Sequence, residues 1–93
     1  PSDMVARYGG EEFSVILPET PSYSAFSLAK RIWSGVGNLE IEHTGSARVG
    51  HLTISIGAAT TIPDENQSIS QFIEISDKNL YKSKSEGRNR ITG

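Results

Sequence analysis

The sequence predicts an α+β fold, with helices packed on one face of a mostly antiparallel sheet. Three observations point there. A glycine pair near the start separates two apolar, strand-like runs. Two later stretches repeat apolar residues at helical spacing, and between them residues 52–59 alternate strictly. Read in order, the elements run ββα(β)βαβ.

Residues 4–8 and 12–17 form the opening hairpin, Met4-Val5-Ala6 leading in and Phe13-Ser14-Val15-Ile16-Leu17 leading out. Gly9-Gly10 between them accepts the positive φ of a tight turn, and Glu11-Glu12 place two carboxylates beside it. Pro18-Glu19-Thr20-Pro21 closes the second strand and opens a helix, with Thr20 as N-cap and Pro21 at the first helical position. Ala25, Leu28, Ala29, Ile32 and Val36 trace the buried stripe of that helix, flanked by Phe26 and Trp33. Gly35 to Asn38 is the expected stop. Leu39 to His43 reads as a short strand with Glu40 and Glu42 toward water, broken at Thr44-Gly45-Ser46.

Across residues 48–60, Leu52, Ile54, Ile56 and Ala58 alternate with small or polar neighbours, giving a half-buried strand. Gly57 marks a bulge or a close backbone approach. After a polar loop, Ser68 and Gln71 stand at capping-box spacing. Ile69, Phe72, Ile73, Ser76 and Leu80 then line the buried face of a second helix, with Tyr81 beside it. Gly87 is its natural stop, and residues 88–92 return as a short edge strand.

At 93 residues the chain fits one small core. A formal net charge of −2 provides no electrostatic footprint for duplex nucleic acid or an anionic membrane surface. The absence of cysteine excludes disulfides and cysteine zinc sites and favours a cytoplasmic setting. No apolar run approaches a membrane span, although a longer parent protein is free to be membrane-attached. His43 and His51 lack metal-ligand spacing. No P-loop, G-x-G-x-x-G or Ser-His-Asp arrangement occurs, and Phe26, Trp33 and Phe72 read as packing anchors.

Four ordered blocks carry a family resemblance. Ala6-Arg7-Tyr8-Gly9-Gly10-Glu11-Glu12-Phe13 resembles the signature hairpin of the GGDEF diguanylate cyclases in its GGEEF form, and Leu17-Pro18-Glu19-Thr20 resembles the segment after it. Thr53-Ile54-Ser55-Ile56-Gly57-Ala58-Ala59 is similar to the family's T-x-S-x-G strand. Ser76 to Lys84, followed by Gly87-Arg88-Asn89, is similar to its A-D-x-A-L-Y-x-A-K…G-R-N ending.

The resemblance implies a ferredoxin-like or palm-like layout of the nucleotidyl cyclase type, lacking its first strand and helix. Residues 1–93 would be the C-terminal portion of a single GGDEF domain, without the guanine-reading half. It implies condensation of two GTP into cyclic di-GMP across a homodimer, with release of pyrophosphate and with Mg²⁺ or Mn²⁺ at the phosphates. Gly9 and Gly10 would admit the nucleotide to the hairpin backbone. Glu11 would bind metal and is the candidate for deprotonating the attacking hydroxyl; Glu12 would be a second ligand. Lys84 and Arg88 match the pair that holds the terminal phosphates. Asp3 stands where the family's inhibitory product site, R-x-x-D, places its Asp, with the Arg falling one position before Pro1. The chain by itself is expected to yield no GTP-dependent product, and its sheet to be altered, or completed by another copy, for want of a central strand.

The residues leave other readings open. Gly-Gly-Glu-Glu in isolation is an ordinary hairpin tip, and five of the nine basic residues (Lys78, Lys82, Lys84, Arg88, Arg90) gather where cations favour a helix C-terminus. A GGDEF module that senses GTP or cyclic di-GMP without turnover is the alternative to an enzyme. An RRM-like RNA binder shares the layout but needs aromatics on its central strands, and Thr53 to Ala59 has none.

Overall fold

The computed structural model describes residues 3–42 and 52–93. Six elements follow one another: β1 (Met4–Gly9), β2 (Glu12–Ile16), α1 (Ser22–Asn38), β3 (Ile56–Gly57), α2 (Ile69–Ser85) and β4 (Ile91–Thr92). His43, the Thr44-Gly45-Ser46 break, residues 48–51 of the expected strand and His51 lie outside the described residues.

β1 and β2 pair antiparallel, Met4 opposite Ile16 and Arg7 opposite Phe13, with an irregularity between Arg7 and Gly9. Because the period is two, Val5, Val15, Arg7 and Phe13 share one face and Met4, Ile16, Ala6 and Ser14 the other. Met4, Val5, Phe13, Val15 and Ile16 are all exposed, so apolar surface stands open on both faces. β3 and β4 pair parallel, Ile56 opposite Ile91, with α2 as the crossover between them. Among the described residues the two pairs form separate sheets. Among the described residues the alternating stretch is strand at Ile56–Gly57, where β4 lies alongside, and Leu52 N–H donates to the Ile41 carbonyl. The described architecture is a small α+β arrangement of two helices and short sheets.

Both helices differ in detail from what spacing implies. α1 starts one residue later than expected: Pro21 is the N-cap, and it makes no side-chain cap bond. Its carbonyl instead receives the Ser24 and Ala25 N–H groups, while the Thr20 hydroxyl donates to the Pro18 carbonyl at 3.0 Å. Gly35 and Gly37 do not stop α1, which runs through both to Asn38; the reversal falls at Glu40, with a φ of 50°. Glycine weakens a helix interior by only about 1 kcal/mol, which seventeen residues absorb. Ala29 is buried, with Ala25, Leu28 and Phe26 around it half-buried. Of the strand expected over Leu39 to His43, the described part shows a single bridge at Glu42 and a bond from Leu52 N–H to the Ile41 carbonyl, with Ile41 itself exposed.

α2 opens on the expected capping box. Gln71 N–H donates to Ser68 Oγ at 3.1 Å, and Ser68 N–H donates to Gln71 Oε1 at 2.7 Å. The buried face keeps Phe72, Ser76 and Leu80 of the expected stripe but is rotated away from Ile69 and Ile73 toward Asn79 and Ser83. Ile69 is 80% exposed, and Ile73 and Tyr81 are also exposed, whereas Ser83 is wholly buried and Phe72, Ser76, Asn79 and Leu80 are half-buried. Gly57 explains the rotation. A Cβ there would fall on the backbone N of Leu80 and the carbonyl of Ser76, so β3 lies directly on the α2 backbone. Polar groups seal that contact. Asn79 Nδ2 donates to the Ala58 carbonyl at 2.7 Å, and Ser83 Oγ donates to the Ile56 carbonyl at 2.9 Å while lying 2.7 Å from Thr92 Oγ1.

Candidate active site

The hairpin tip is built from three backbone facts. Gly9 pairs with Glu12, leaving Gly10-Glu11 as a two-residue turn. Gly10 takes a φ of +54°, the positive first position of the primed hairpin turns, so one glycine of the pair and not both meets the turn's demand. The Arg7 guanidinium then grips the tip, its Nε and Nη2 donating to the Gly10 carbonyl at 2.9 and 2.6 Å.

Gly9 stands in β1, and neither its φ nor its surroundings call for glycine. No described atom lies within 4 Å of a Cβ built on Gly9 or Gly10. The side of the tip that bears no side chain is thus left open by the fold, which is what close approach by a ligand requires.

The turn also separates two carboxylates that strand alternation would merely have set on opposite faces. Glu11, at the second turn position, is exposed. Glu12, the first residue of β2, reaches α2, where its Oε2 lies 3.3 Å from Lys84 Nζ. Their side chains are 40% and 30% exposed, so the pair stands at the boundary between protein and water. Residues seventy-two positions apart are joined here, the hairpin to the last turn of α2.

Beyond Lys84 the chain turns sharply. Gly87 has a φ of 122°, and Arg88 N–H donates back to the Ser83 carbonyl at 2.9 Å, ending the helix in a Schellman-type bond. Arg88 and Asn89 follow with φ of 62° and 49°, two consecutive non-glycine residues in the left-handed region. Such backbone is strained by about 1–3 kcal/mol per residue and needs support. Asn89 provides it: Trp33 Nε1 donates to its Oδ1 at 2.9 Å, and its own N–H donates to Ser55 Oγ at 3.2 Å. Trp33 is therefore an anchor for this turn, and Ser55 of the T-x-S-x-G stretch is the second one. Neither partnership is legible from spacing.

Of the residues singled out from sequence, the structure brings Gly9, Gly10, Glu11 and Glu12 to one tip and sets Lys84 against it. Arg88 is exposed on the turn after α2 and joins no ion pair among the described residues. Asp3 is exposed just before β1, about 20 Å of strand from the tip. A cleft of about 470 Å³ lies elsewhere, lined by Tyr23, Phe26, Lys30, Ala58 and Thr60 among others. Among the described residues no group of three or more His, Cys, Asp or Glu side chains is placed to hold a metal ion, and no helix is long and apolar enough to cross a membrane.

The model of the GGDEF domain of diguanylate cyclases matches residues 1–90. The chain belongs to the GGDEF family. Diguanylate cyclase A of Treponema denticola is 42% identical to it over 91 residues, 98% of this chain and 24% of that protein. Diguanylate cyclase DgcM of Escherichia coli K12 is 42% identical over 89 residues, 96% of this chain and 20% of that protein. The response regulator PleD of Caulobacter vibrioides is 34% identical over 91 residues, 98% of this chain and 20% of its own length. The chain thus spans between a fifth and a quarter of these relatives. As a GGDEF member, it presents the Gly9-Gly10-Glu11-Glu12-Phe13 signature on the hairpin and the Lys84…Arg88 ending on α2 and its exit turn.

Proposed function

We propose that this chain is the C-terminal portion of a palm-like GGDEF domain that condenses two GTP into cyclic di-GMP, acting as a homodimer with Mg²⁺ or Mn²⁺. The observation that carries the reading is the tip itself: a side-chain-free backbone edge at Gly9-Gly10, an exposed carboxylate at Glu11, and a cation, Lys84, at its flank. Gly9 borders the hairpin's register irregularity without a positive φ, and the bare edge that it leaves is what a nucleotide lying along the strand would use.

The donor set fits a magnesium-type ion. Glu11 and Glu12 offer hard carboxylate oxygens, and two protein ligands leave the remaining positions for phosphate oxygens and water, the usual arrangement for Mg²⁺ on nucleotides. When bound, that ion supplies charge neutralisation at the phosphates and orientation for in-line transfer. The protein groups do the rest. Gly9 and Gly10 let the triphosphate lie against the backbone. Arg7 holds the Gly10 carbonyl and so fixes the tip at which Glu11 projects. Glu11 receives the proton of the attacking 3′-hydroxyl. The new bond forms between that oxygen and the α-phosphorus of the GTP on the facing domain, the α–β bridging oxygen leaves with pyrophosphate, and Lys84 and Arg88 hold the departing phosphates. The strained backbone at Arg88, braced by Trp33 and Ser55, keeps its guanidinium on a fixed turn. Asp3 is the candidate half of an inhibitory site for the product. Sheets left open in this chain are completed in the palm-like layout by the strand and helices that precede this portion in the family.

The test is Glu11→Gln in the full-length protein, with cyclic di-GMP quantified under saturating Mg²⁺ and GTP. Removing a general base costs on the order of 10²–10⁴ in turnover. Undiminished synthesis by the variant overturns the role of Glu11, and absence of product from the wild-type protein overturns the cyclase reading.

A further inference from the structure

The Glu12–Lys84 contact crosses the space where metal and phosphate are proposed to bind, and it joins one residue of each kind. Glu12 Oε2, a metal-ligand atom in the proposed reading, is already occupied by the Lys84 ammonium at 3.3 Å. The two sit on different elements, β2 and α2, and both are partly open to water. The hairpin is thin: apolar side chains on both of its faces are exposed, so among the described residues little packing positions it beyond this ion pair and the Leu17–Pro21 link to α1.

We infer that Lys84 is an internal stand-in for the metal, an exchangeable cation that neutralises Glu12 in the nucleotide-free protein and moves to phosphate when metal and nucleotide arrive. This inference rests on the metal–nucleotide reading above and adds an ordering to it. Unpaired, Glu12 would add its charge to that of Glu11 against an incoming triphosphate; paired with Lys84 it does not. Glu12, released from Lys84, would then be free to hold a divalent ion accompanying the phosphates. The displaced ammonium then sits within a side-chain length of the new negative charge, with no cost of leaving a charge unpaired in either state. The exchange also pulls on α2, since Lys84 follows directly on Ser83, which is bonded to β3 and β4. Occupancy of the tip is thereby felt by the β3–α2–β4 unit.

The contact makes opposite demands on two affinities, which a purely structural lysine does not. With Lys84→Met, a nucleotide-free protein loses the competitor for Glu12 and should bind Mn²⁺ about fivefold more tightly, the worth of a partly exposed ion pair. The same variant should bind Mn²⁺–GTP more weakly than wild type. Lys84→Arg, which keeps the charge, should leave the Mn²⁺ affinity within about twofold of wild type. The measurement is free Mn²⁺ by electron paramagnetic resonance during titration of the full-length protein, with Lys84→Gln as a second neutral variant should Lys84→Met fold poorly. Tighter Mn²⁺ and weaker Mn²⁺–GTP binding together support the exchange. Equal or weaker Mn²⁺ binding by the neutral variants, in a protein that does bind Mn²⁺, overturns the exchange alone. No Mn²⁺ or Mn²⁺–GTP binding by any of these proteins overturns the metal–nucleotide reading and the exchange with it.

Discussion

Gly57→Ala is the sharpest test of how the β3–α2 contact is made. The added Cβ meets backbone on every side: the N of Leu80, the carbonyl of Ser76, and Leu80 Cα at 2.6 Å. Carbon atoms rest at about 3.5–4.0 Å, so β3 must withdraw from α2 by about 1 Å. No flexible side chain can yield instead. That shift carries the Asn79–Ala58 and Ser83–Ile56 hydrogen bonds, now 2.7 and 2.9 Å long, beyond useful range. Two bonds lost at part-buried groups cost about 1–3 kcal/mol each, and the expected destabilisation is about 3–5 kcal/mol. A small domain holds only about 5–15 kcal/mol in total, so the substitution should remove a large share of it. The assay is urea denaturation followed by Trp33 fluorescence and far-ultraviolet circular dichroism, with Gly35→Ala as a control of opposite sign. Gly35 lies within α1, and no described atom comes within 4 Å of a Cβ built there. Alanine at that position should stabilise by about 0.5–1 kcal/mol. A midpoint change for Gly57→Ala equivalent to less than about 0.5 kcal/mol would refute the backbone-on-backbone account.

Two further expectations follow from the same geometry. Gly9→Ala should leave stability within about 0.5 kcal/mol of wild type, because the position has neither positive φ nor a neighbour to strike, yet weaken GTP binding at least about tenfold; calorimetric GTP titration beside a denaturation curve separates the two, and an unchanged affinity removes the main support for a nucleotide on this edge. Ser83→Ala should cost about 1–3 kcal/mol in denaturant stability, because it strips a partner from the Ile56 carbonyl and from Thr92 in a wholly buried position, whereas a surface serine such as Ser70 should change it by less than about 0.5 kcal/mol.

Several parts of this protein that are local in sequence were legible as such, although the Thr20 cap and the stop expected from Gly35 onward were not. The two-residue hairpin, its flanking strands and the Ser68–Gln71 capping box depend on neighbours within a few positions, and their residue types state what the backbone does. Family membership was equally legible, since the hairpin signature and the Lys84…Arg88 ending are contiguous motifs. What spacing could not supply was the face each helix buries. α2 buries Ser83 and half-buries Ser76 and Asn79 beside Phe72 and Leu80, leaving Ile69 and Ile73 exposed, because Gly57 allows a main-chain contact against which small side chains fit. Nor could alternation anticipate that Glu12 would meet Lys84 across seventy-two residues, or that Trp33 and Ser55 would brace Asn89. Apolar periodicity records how often a side chain leaves water but not which partner receives it. The sequence alone determined the motif and the hairpin that carries it. Only the tertiary structure decided that the motif's second glutamate shares its charge with α2, and that one of its two glycines is spare for the fold.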